Sequence, residues 1–240
     1  MQNPFEQRVT VEEHMTQNGV LTLSALLSLH HAAANEQLVE LGLDVDALLS
    51  HGYAFIISRL RSRVTRLPRV GETVTVRTWP RNTKGVQMFR CFSVLDETGA
   101  LLVDSVATYA LIDTATHTLQ RPAVLDSIAA IPDLGVSGTC PDPDRRLPEG
   151  LGMPVGGCVV PPEWIDWYGH MNNVRYADVL QNFLPEKYAA RPIVAFQLHF
   201  VRELLVGEMM LVCVAETEDG VSVQGLRGKD LCFEGVVTFG

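Results

Sequence analysis

The densest run of chemically useful side chains in the sequence is EWIDWYGHMNNVRYADVL, residues 163–180. Asp166 stands in a turn, and Gly169 permits close backbone approach. His170 follows four residues after Asp166, and Asn172 or Asn173 can cap the helix that begins there. The free N–H groups of such a first turn make a site for an anion or a polarised carbonyl oxygen. A carboxylate, an imidazole and a helix N-terminus together suit hydrolysis of an activated acyl group. The carboxylate activates water, and the donors stabilise the developing oxyanion. The same residues also serve as a plain turn and cap, and spacing alone weighs the two roles about evenly.

These residues need elements to hold them. Eight of the 13 prolines fall between Pro122 and Pro162, and with TCPDPDRRLPEGLG they mark a linker between two units. The boundaries read 1–122 for the first unit, 123–153 for the linker and 154–240 for the second. Each unit shows the same order: a short strand, a long helix, then four strand-like runs. In the first, the strand lies near Gln7–Val11 and the helix spans about Leu23 to Leu41. Apolar residues surround much of that helix, which predicts a largely enclosed one. Strands follow over Ala54–Leu67, Glu72–Trp79, Val86–Asp96 and Leu101–Asp113, with a hairpin turn at DETG. In the second, a strand near Gly157–Val160 precedes a helix from about Asn172 to Leu184, stopped by Pro185. Its strands are Ile193–Arg202, Glu208–Glu216, Val221–Lys229 and Leu231–Thr238. VTRLPRVGETVTVRT (64–78) lies over FVRELLVGEMMLVCV (200–214) at a constant offset of 136, which points to duplication. One long helix packed on a curled antiparallel sheet, used twice, is an α+β architecture.

Composition bounds the rest. A 240-residue chain with 47% hydrophobic and 20% charged residues has the makings of a globular core. No run approaches the roughly 18 apolar residues of a membrane span. The start, MQNPFEQRVTVEEH, lacks the order of a signal peptide. Five widely spaced cysteines without a CxxC predict reduced thiols, no metal site and a cytoplasmic protein. The net charge of −9 argues against nucleic-acid binding. Yet residues 51–92 hold nine basic side chains against the single acid Glu72. Arg59, Arg61 and Arg63 alternate there and so share one strand face. Such a surface either meets an acidic partner or is a solvated sheet face.

D-x-x-G-H-M-N-N-V-x-Y (166–176) resembles the active-site signature of hotdog-fold thioesterases. PRVGETVTVRTWP (68–80), ATYALIDTATHTLQRP (107–122) and VRELLVGE (201–208) resemble segments of the acyl-acyl-carrier-protein thioesterases of bacteria and plants, whose chains carry two tandem hotdogs. The likeness covers nearly the whole chain. It implies hydrolysis of the thioester of fatty acyl-acyl carrier protein, releasing free fatty acid, without metal or organic cofactor. The family's catalytic acid falls on Asp166, its histidine on His170 and its downstream strand glutamate on Glu203. Plant members carry asparagine where this chain has Tyr168, and cysteine where it has Leu204, so no cysteine nucleophile stands beside Glu203. Glu203 is then the preferred base for water, with Asp166 orienting the site, although the two carboxylates can exchange these roles. His170 and backbone N–H groups near Asn172 and Asn173 stabilise the oxyanion, and Tyr168 can donate a hydrogen bond in place of the amide.

The first unit has HMTQNGVLTLSALL (14–27) where the signature would fall. The resemblance makes it a non-catalytic acyl pocket, with His14, His30 and His31 structural. Acyl carrier protein, itself acidic, is the partner implied, and Arg59, Arg61 and Arg63 form a candidate docking stripe. Two fused hotdogs fit a monomer or a homodimer. An acyl-CoA thioesterase of the same fold is the alternative, and a non-catalytic acyl-thioester binder comes third.

Overall fold

The computed structural model describes residues 3–131, 136, 138–147, 152–218 and 220–240. Alternating apolar runs become strands, and each pair is antiparallel. In chain order the elements are β1 (Phe5–Thr10), the short pair β2 (Thr16–Gln17) and β3 (Val20–Leu21), and helices α1 (Leu23–Glu40) and α2 (Val45–Ser50). Next come β4 (Tyr53–Val64), β5 (Thr73–Lys84), β6 (Gln87–Leu95), β7 (Leu101–Asp113) and β8 (Leu119–Gln120). After the proline-rich stretch follow β9 (Met153–Val159), α3 (Asn173–Asn182), β10 (Ile193–Phe200), β11 (Met209–Glu216), β12 (Gly220–Arg227) and β13 (Asp230–Phe239).

The main sheet runs β1-β5-β6-β7-β4-β10-β13-β12-β11-β9, with β8 on β7. From either end the order is the same: first strand, third-to-last, second-to-last, last, then the strand after the helix. The two series meet at β4 and β10, where Leu60 lies opposite Leu198 and Arg59 opposite His199. Backbone bonds repeat as well. Val11 N–H donates to Glu72 O at 2.9 Å and Gly71 N–H to Val11 O at 2.8 Å. In the second half Val160 N–H donates to Glu208 O at 2.9 Å and Gly207 N–H to Val160 O at 2.8 Å, with Gly207 and Glu208 136 residues after Gly71 and Glu72.

Helices α1 and α3 lie against one face of this sheet in a single core. Thr22 caps α1 by accepting from Ala25 N–H at 3.1 Å. The helix buries Leu23, Leu26, Leu27, Leu29, His30, Ala33, Ala34 and Gln37, a stripe at intervals of three and four. Ser28, Ala32, Asn35 and Glu36 are exposed, so α1 is covered on one side rather than enclosed. Short apolar residues at positions 32–34 satisfied the pattern without all facing the core. On β6 the same face carries Phe92, stacked on the His30 ring at a centroid separation of 4.4 Å. Arg90 shares that parity and is buried, donating to Gln37 Oε1 and to Thr78 Oγ1. The basic run therefore does not form one surface.

The proline-rich segment acts as a strap. Its start, Pro122–Ser127, is a 3-10 turn that buries Leu125 with Leu43, Leu48 and Leu111. Residues 138–147 cross the outer face of the sheet. There Asp104 accepts Thr139 Oγ1 at 2.5 Å and Cys140 N–H at 2.7 Å, while Trp79, Phe89, Cys91, Val106 and Cys140 form a small core beneath. The remainder of the expected linker, at 132–135, 137 and 148–151, lies outside the described residues.

Candidate active site

The loop joining β9 to α3 is held by its own backbone. Asp166 N–H donates to His170 O at 2.8 Å, Gly169 N–H to Asp166 O at 3.0 Å, and Ile165 bridges Met171. Gly169 sits at φ +85°, a conformation that a side chain would strain. Asp166 Oδ1 accepts from Tyr168 N–H at 2.8 Å and from His170 N–H at 3.4 Å. Its Oδ2 makes no hydrogen bond among the described residues. Asp166 thus folds the loop and still presents one free carboxylate oxygen.

His170 reaches across to Glu203, with Nε2 2.6 Å from Oε2. The sequence placed Glu203 on a strand, but β10 ends at Phe200 and Glu203 stands in the connection to β11. Val201 and Arg202 N–H both donate to Cys232 O, which ends the regular pairing and turns the chain outward. Leu204, at the position that carries cysteine in plant members, is fully buried. Its carbonyl accepts Met171 N–H at 2.7 Å, so it ties the Glu203 connection to the His170 loop. That backbone tie, beside a buried Leu204, is why His170 and Glu203 meet although 33 residues separate them. The pair is open to solvent: the His170 side chain is 38% exposed and that of Glu203 66%. Glu203 Oε1 has no partner among the described residues.

The helix start offers fewer donors than its sequence promised. Asn172 is the cap, its Oδ1 accepting Val174 N–H at 3.1 Å, and its carbonyl takes Arg175 N–H at 2.9 Å. Asn172 N–H itself donates to Trp164 O at 2.8 Å. Asn173 N–H remains, the only first-turn donor without an acceptor among the described residues, so the oxyanion role narrows to Asn173 and its neighbours. Tyr168 projects outward, 45% exposed, and burial together with the Asp166 charge pushes its phenol above the ordinary value. Trp167 beside it is 80% exposed.

One site neighbour went unread in the sequence. Leu23 N–H, at the start of α1, donates to Gln181 Oε1 near the end of α3 at 2.8 Å, so the helices run antiparallel side by side. About eight residues along α1, roughly 12 Å at 1.5 Å per residue, His31 comes level with the start of α3. Burial lowers its pKa to about 4, while the Asp166 charge pulls it back up. His31 is therefore a neutral imidazole facing the Asp166 loop. The helical offset from a capping contact would have found it, had the packing of α1 on α3 been known.

The first half carries the same frame without the chemistry. Thr16 to Leu21 closes a hairpin like that from Ile165 to Met171, with Gly19 at φ +72° in the place of Gly169. Leu21 N–H donates to Pro68 O at 2.9 Å as Met171 does to Leu204, and Thr22 caps α1 as Asn172 caps α3. At these offsets Asp166, His170 and Glu203 are replaced by Thr16, Val20 and Leu67.

The arginine stripe does share the outer face of β4, but the strap engages it. Arg61 pairs with Asp144 at 2.8 Å and Arg63 donates to Thr139 O at 3.3 Å. Arg81 and Lys84 both bind Asp142, Arg66 binds Glu72 and Arg77 binds Glu6. Of the five cysteines, all but Cys158 are buried, and burial raises the Cys140 thiol to about 11. None adjoins Glu203 in sequence. No group of His, Cys, Asp and Glu among the described residues has the arrangement of a metal site. No described helix is long and apolar enough to cross a membrane.

A carboxylate–imidazole pair beside a helix start stands on a large antiparallel sheet with few helices, an architecture consistent with a hotdog type of fold. Residues 3–131 match the family model of the acyl-ACP thioesterase N-terminal domain, and the chain belongs to the acyl-ACP thioesterase family. It is 24% identical over 166 residues to the chloroplastic acyl-[acyl-carrier-protein] hydrolase FATB3 of Cuphea viscosissima, and 25% to the palmitoyl-acyl carrier protein thioesterase of Cuphea hookeriana. Each match spans 62% of this chain and 38% of the relative's length. In fold it is similar to an acyl-ACP thioesterase from Bacteroides thetaiotaomicron, with a TM-score of 0.85 and 22% identity over 98% of this chain and 97% of that one. It also resembles the 12:0-ACP thioesterase of Umbellularia californica, with a TM-score of 0.83 and 20% identity over 98% and 96% of the two chains.

Proposed function

We propose that this protein hydrolyses the thioester of fatty acyl-acyl carrier protein and releases free fatty acid. The observation that carries the reading is the 2.6 Å contact of His170 with Glu203 beside the Asp166 loop and the start of α3, in a chain of this family. Glu203 Oε1 takes a proton from water, and the hydroxyl adds to the thioester carbonyl carbon. The oxyanion that forms is stabilised by Asn173 N–H and the positive end of α3. Collapse breaks the C–S bond, and the proton held by Glu203 passes to the departing sulfur, so the carboxylate is regenerated. His170, with Nε2 2.6 Å from Oε2, holds Glu203 in place, and Asp166 keeps the His170 loop in shape while adding charge beside it.

The palindromic strand order and the paired backbone bonds support two tandem hotdogs in one chain. Residues 1–122 then form the non-catalytic unit, 123–153 the linker and 154–240 the catalytic unit, since Thr16, Val20 and Leu67 leave the first without a base or an imidazole. The cytoplasmic setting, the acyl carrier protein partner, and the choice between monomer and dimer belong to the same reading. The deciding assay compares matched acyl-acyl carrier protein and acyl-CoA substrates of one chain length. A preference for the carrier-bound substrate is expected. Preference for CoA would make this an acyl-CoA thioesterase, and no hydrolysis of either would make it a binder.

A further inference from the structure

The outer face of the sheet carries a row of side chains that no catalytic role uses. Phe89 on β6 lies opposite Thr108 on β7, Thr108 opposite Arg59 on β4, and Arg59 opposite His199 on β10. Residues directly opposite one another project from the same face. The strap passes above, and between it and the row is a pocket of about 100 Å3, lined by Arg59, Lys84, Gln87, Phe89, Thr108, Asp142, Pro143 and Arg145. That is room for several waters or one tetrahedral oxyanion.

The pocket has positive charge without an answer. Its one acid, Asp142, is already engaged by Arg81 and Lys84. The acid further along the row, Glu234, accepts from His199 at 3.0 Å. Arg59 Nε is buried and has no hydrogen-bond partner among the described residues, and the same holds for the hydroxyl of Thr108, a residue 1% exposed. Arg145 is exposed above and forms no ion pair among the described residues. Burial first, and the Arg145 charge second, push the Arg59 guanidinium below its ordinary value, as expected of two cations facing one space. A buried donor left unmade costs free energy that a neutral protein atom in contact would recover. Here the strap holds those donors open around a cavity instead.

We propose that this pocket binds a phosphate group, with Arg59 Nε and the Thr108 hydroxyl donating from the sheet and Arg145 closing from the strap. Phosphate matches the geometry because its oxygens accept from several directions and its charge answers both arginines. The ligand is either free inorganic phosphate or a phosphate ester, and the site is separate from Asp166, His170 and Glu203. The proposal does not depend on the thioesterase reading.

Calorimetric titration of the full chain with inorganic phosphate, at constant ionic strength against chloride, tests it. One saturable site is expected. Arg145→Gln, on the exposed strap where folding is not at stake, should weaken it roughly tenfold or more, the usual worth of a charge-assisted hydrogen bond. Arg59→Gln and Thr108→Val should weaken it too, with a melting curve to show each still folds. Arg69→Gln, an exposed arginine away from the pocket, should leave it unchanged. A parallel titration with 4′-phosphopantetheine assigns the source. Tighter binding than phosphate indicates an ester, and equal or weaker binding indicates the free anion. Absence of saturable phosphate binding, or equal weakening by Arg69→Gln and Arg145→Gln, overturns the site.

Discussion

Replacing Glu203 with glutamine separates catalysis from folding at this site. Glutamine keeps the length of the side chain and an oxygen that can face His170, and removes the charge and the capacity to take a proton. The structural cost is bounded by exposure. With the two side chains 66% and 38% exposed, the 2.6 Å pair contributes at most about 1 kcal/mol, as surface ion pairs do. For a chain of this length that is a shift in Tm of about 2–4 °C or less. The catalytic cost has no such bound. Loss of a general base typically removes about 10²–10⁴ in rate, which is roughly 2.7–5.5 kcal/mol of barrier. Hydrolysis followed by thiol release from an acyl-pantetheine substrate, beside a thermal melt of the same sample, measures both. The expected result is kcat down at least a hundredfold with Tm nearly unmoved. A variant that turns over within tenfold of the native rate would refute Glu203 as the base, because nothing else about the side chain has changed.

Asp166 divides the same way: Asp166→Asn retains the Oδ1 acceptor for Tyr168 and His170 N–H and should lose rate without losing stability. Asp166→Ala releases both N–H groups and should cost about 1–3 kcal/mol in denaturant melts as well. Equal stability for the two variants would mean the loop does not need those bonds. His30 and His31 both confer acid sensitivity, and His30 can be tested without disturbing its stack. Burial lowers its pKa to about 3 from 6.5, so between those values the unfolded chain binds more protons than the folded one. Its contribution is intact above about pH 6.5 and lost as pH falls, by about 2 kcal/mol at pH 5. His30→Phe, which keeps the stack on Phe92, should flatten that slope. Identical losses from pH 7 to 5 in native protein and variant would show that another group carries it.

Strand positions were legible because burial on one face forces alternation, α1 because its apolar residues recur at three and four, and the start of α3 because Asn172 is a strong cap. Where the sequence misled, the missing information was tertiary. FVRELL alternates as a strand should, yet two successive N–H groups share Cys232 O and end the pairing before Glu203. Thr65 and Arg66 do the same to Leu102 O in the first half, so the break is part of the repeated unit rather than an accident of one loop. The alternation of Arg59, Arg61 and Arg63 did reveal a shared face. It could not reveal that acids 80 residues away, Asp142 and Asp144, would be laid across it. Arg90 looked like more of that surface and is instead buried beneath α1, because strand parity, not charge, decides the face. His31 depends on how two helices pack, which no local pattern encodes.

The repeated frame explains how one half can lack the candidate chemistry and keep its shape. The bonds that build it join backbone to backbone: Leu21 to Pro68, Met171 to Leu204, and the hairpins closed at Gly19 and Gly169. None needs the side chain of Asp166, His170 or Glu203, because each joins a backbone N–H to a backbone oxygen. Threonine, valine and leucine at those places leave the hairpin, the cap and the tie intact. The reverse does not hold, because the three polar residues meet only where such a tie brings two distant loops together. Beside the hydrogen bonds that Gln181 makes to Leu23 N–H and to Gln17, His31 adds an electrostatic contact between the halves. From the half without a base, it sets a neutral imidazole towards the Asp166 loop. On the proposed mechanism the second half supplies the reacting groups, and the first supplies part of the wall against which they are held.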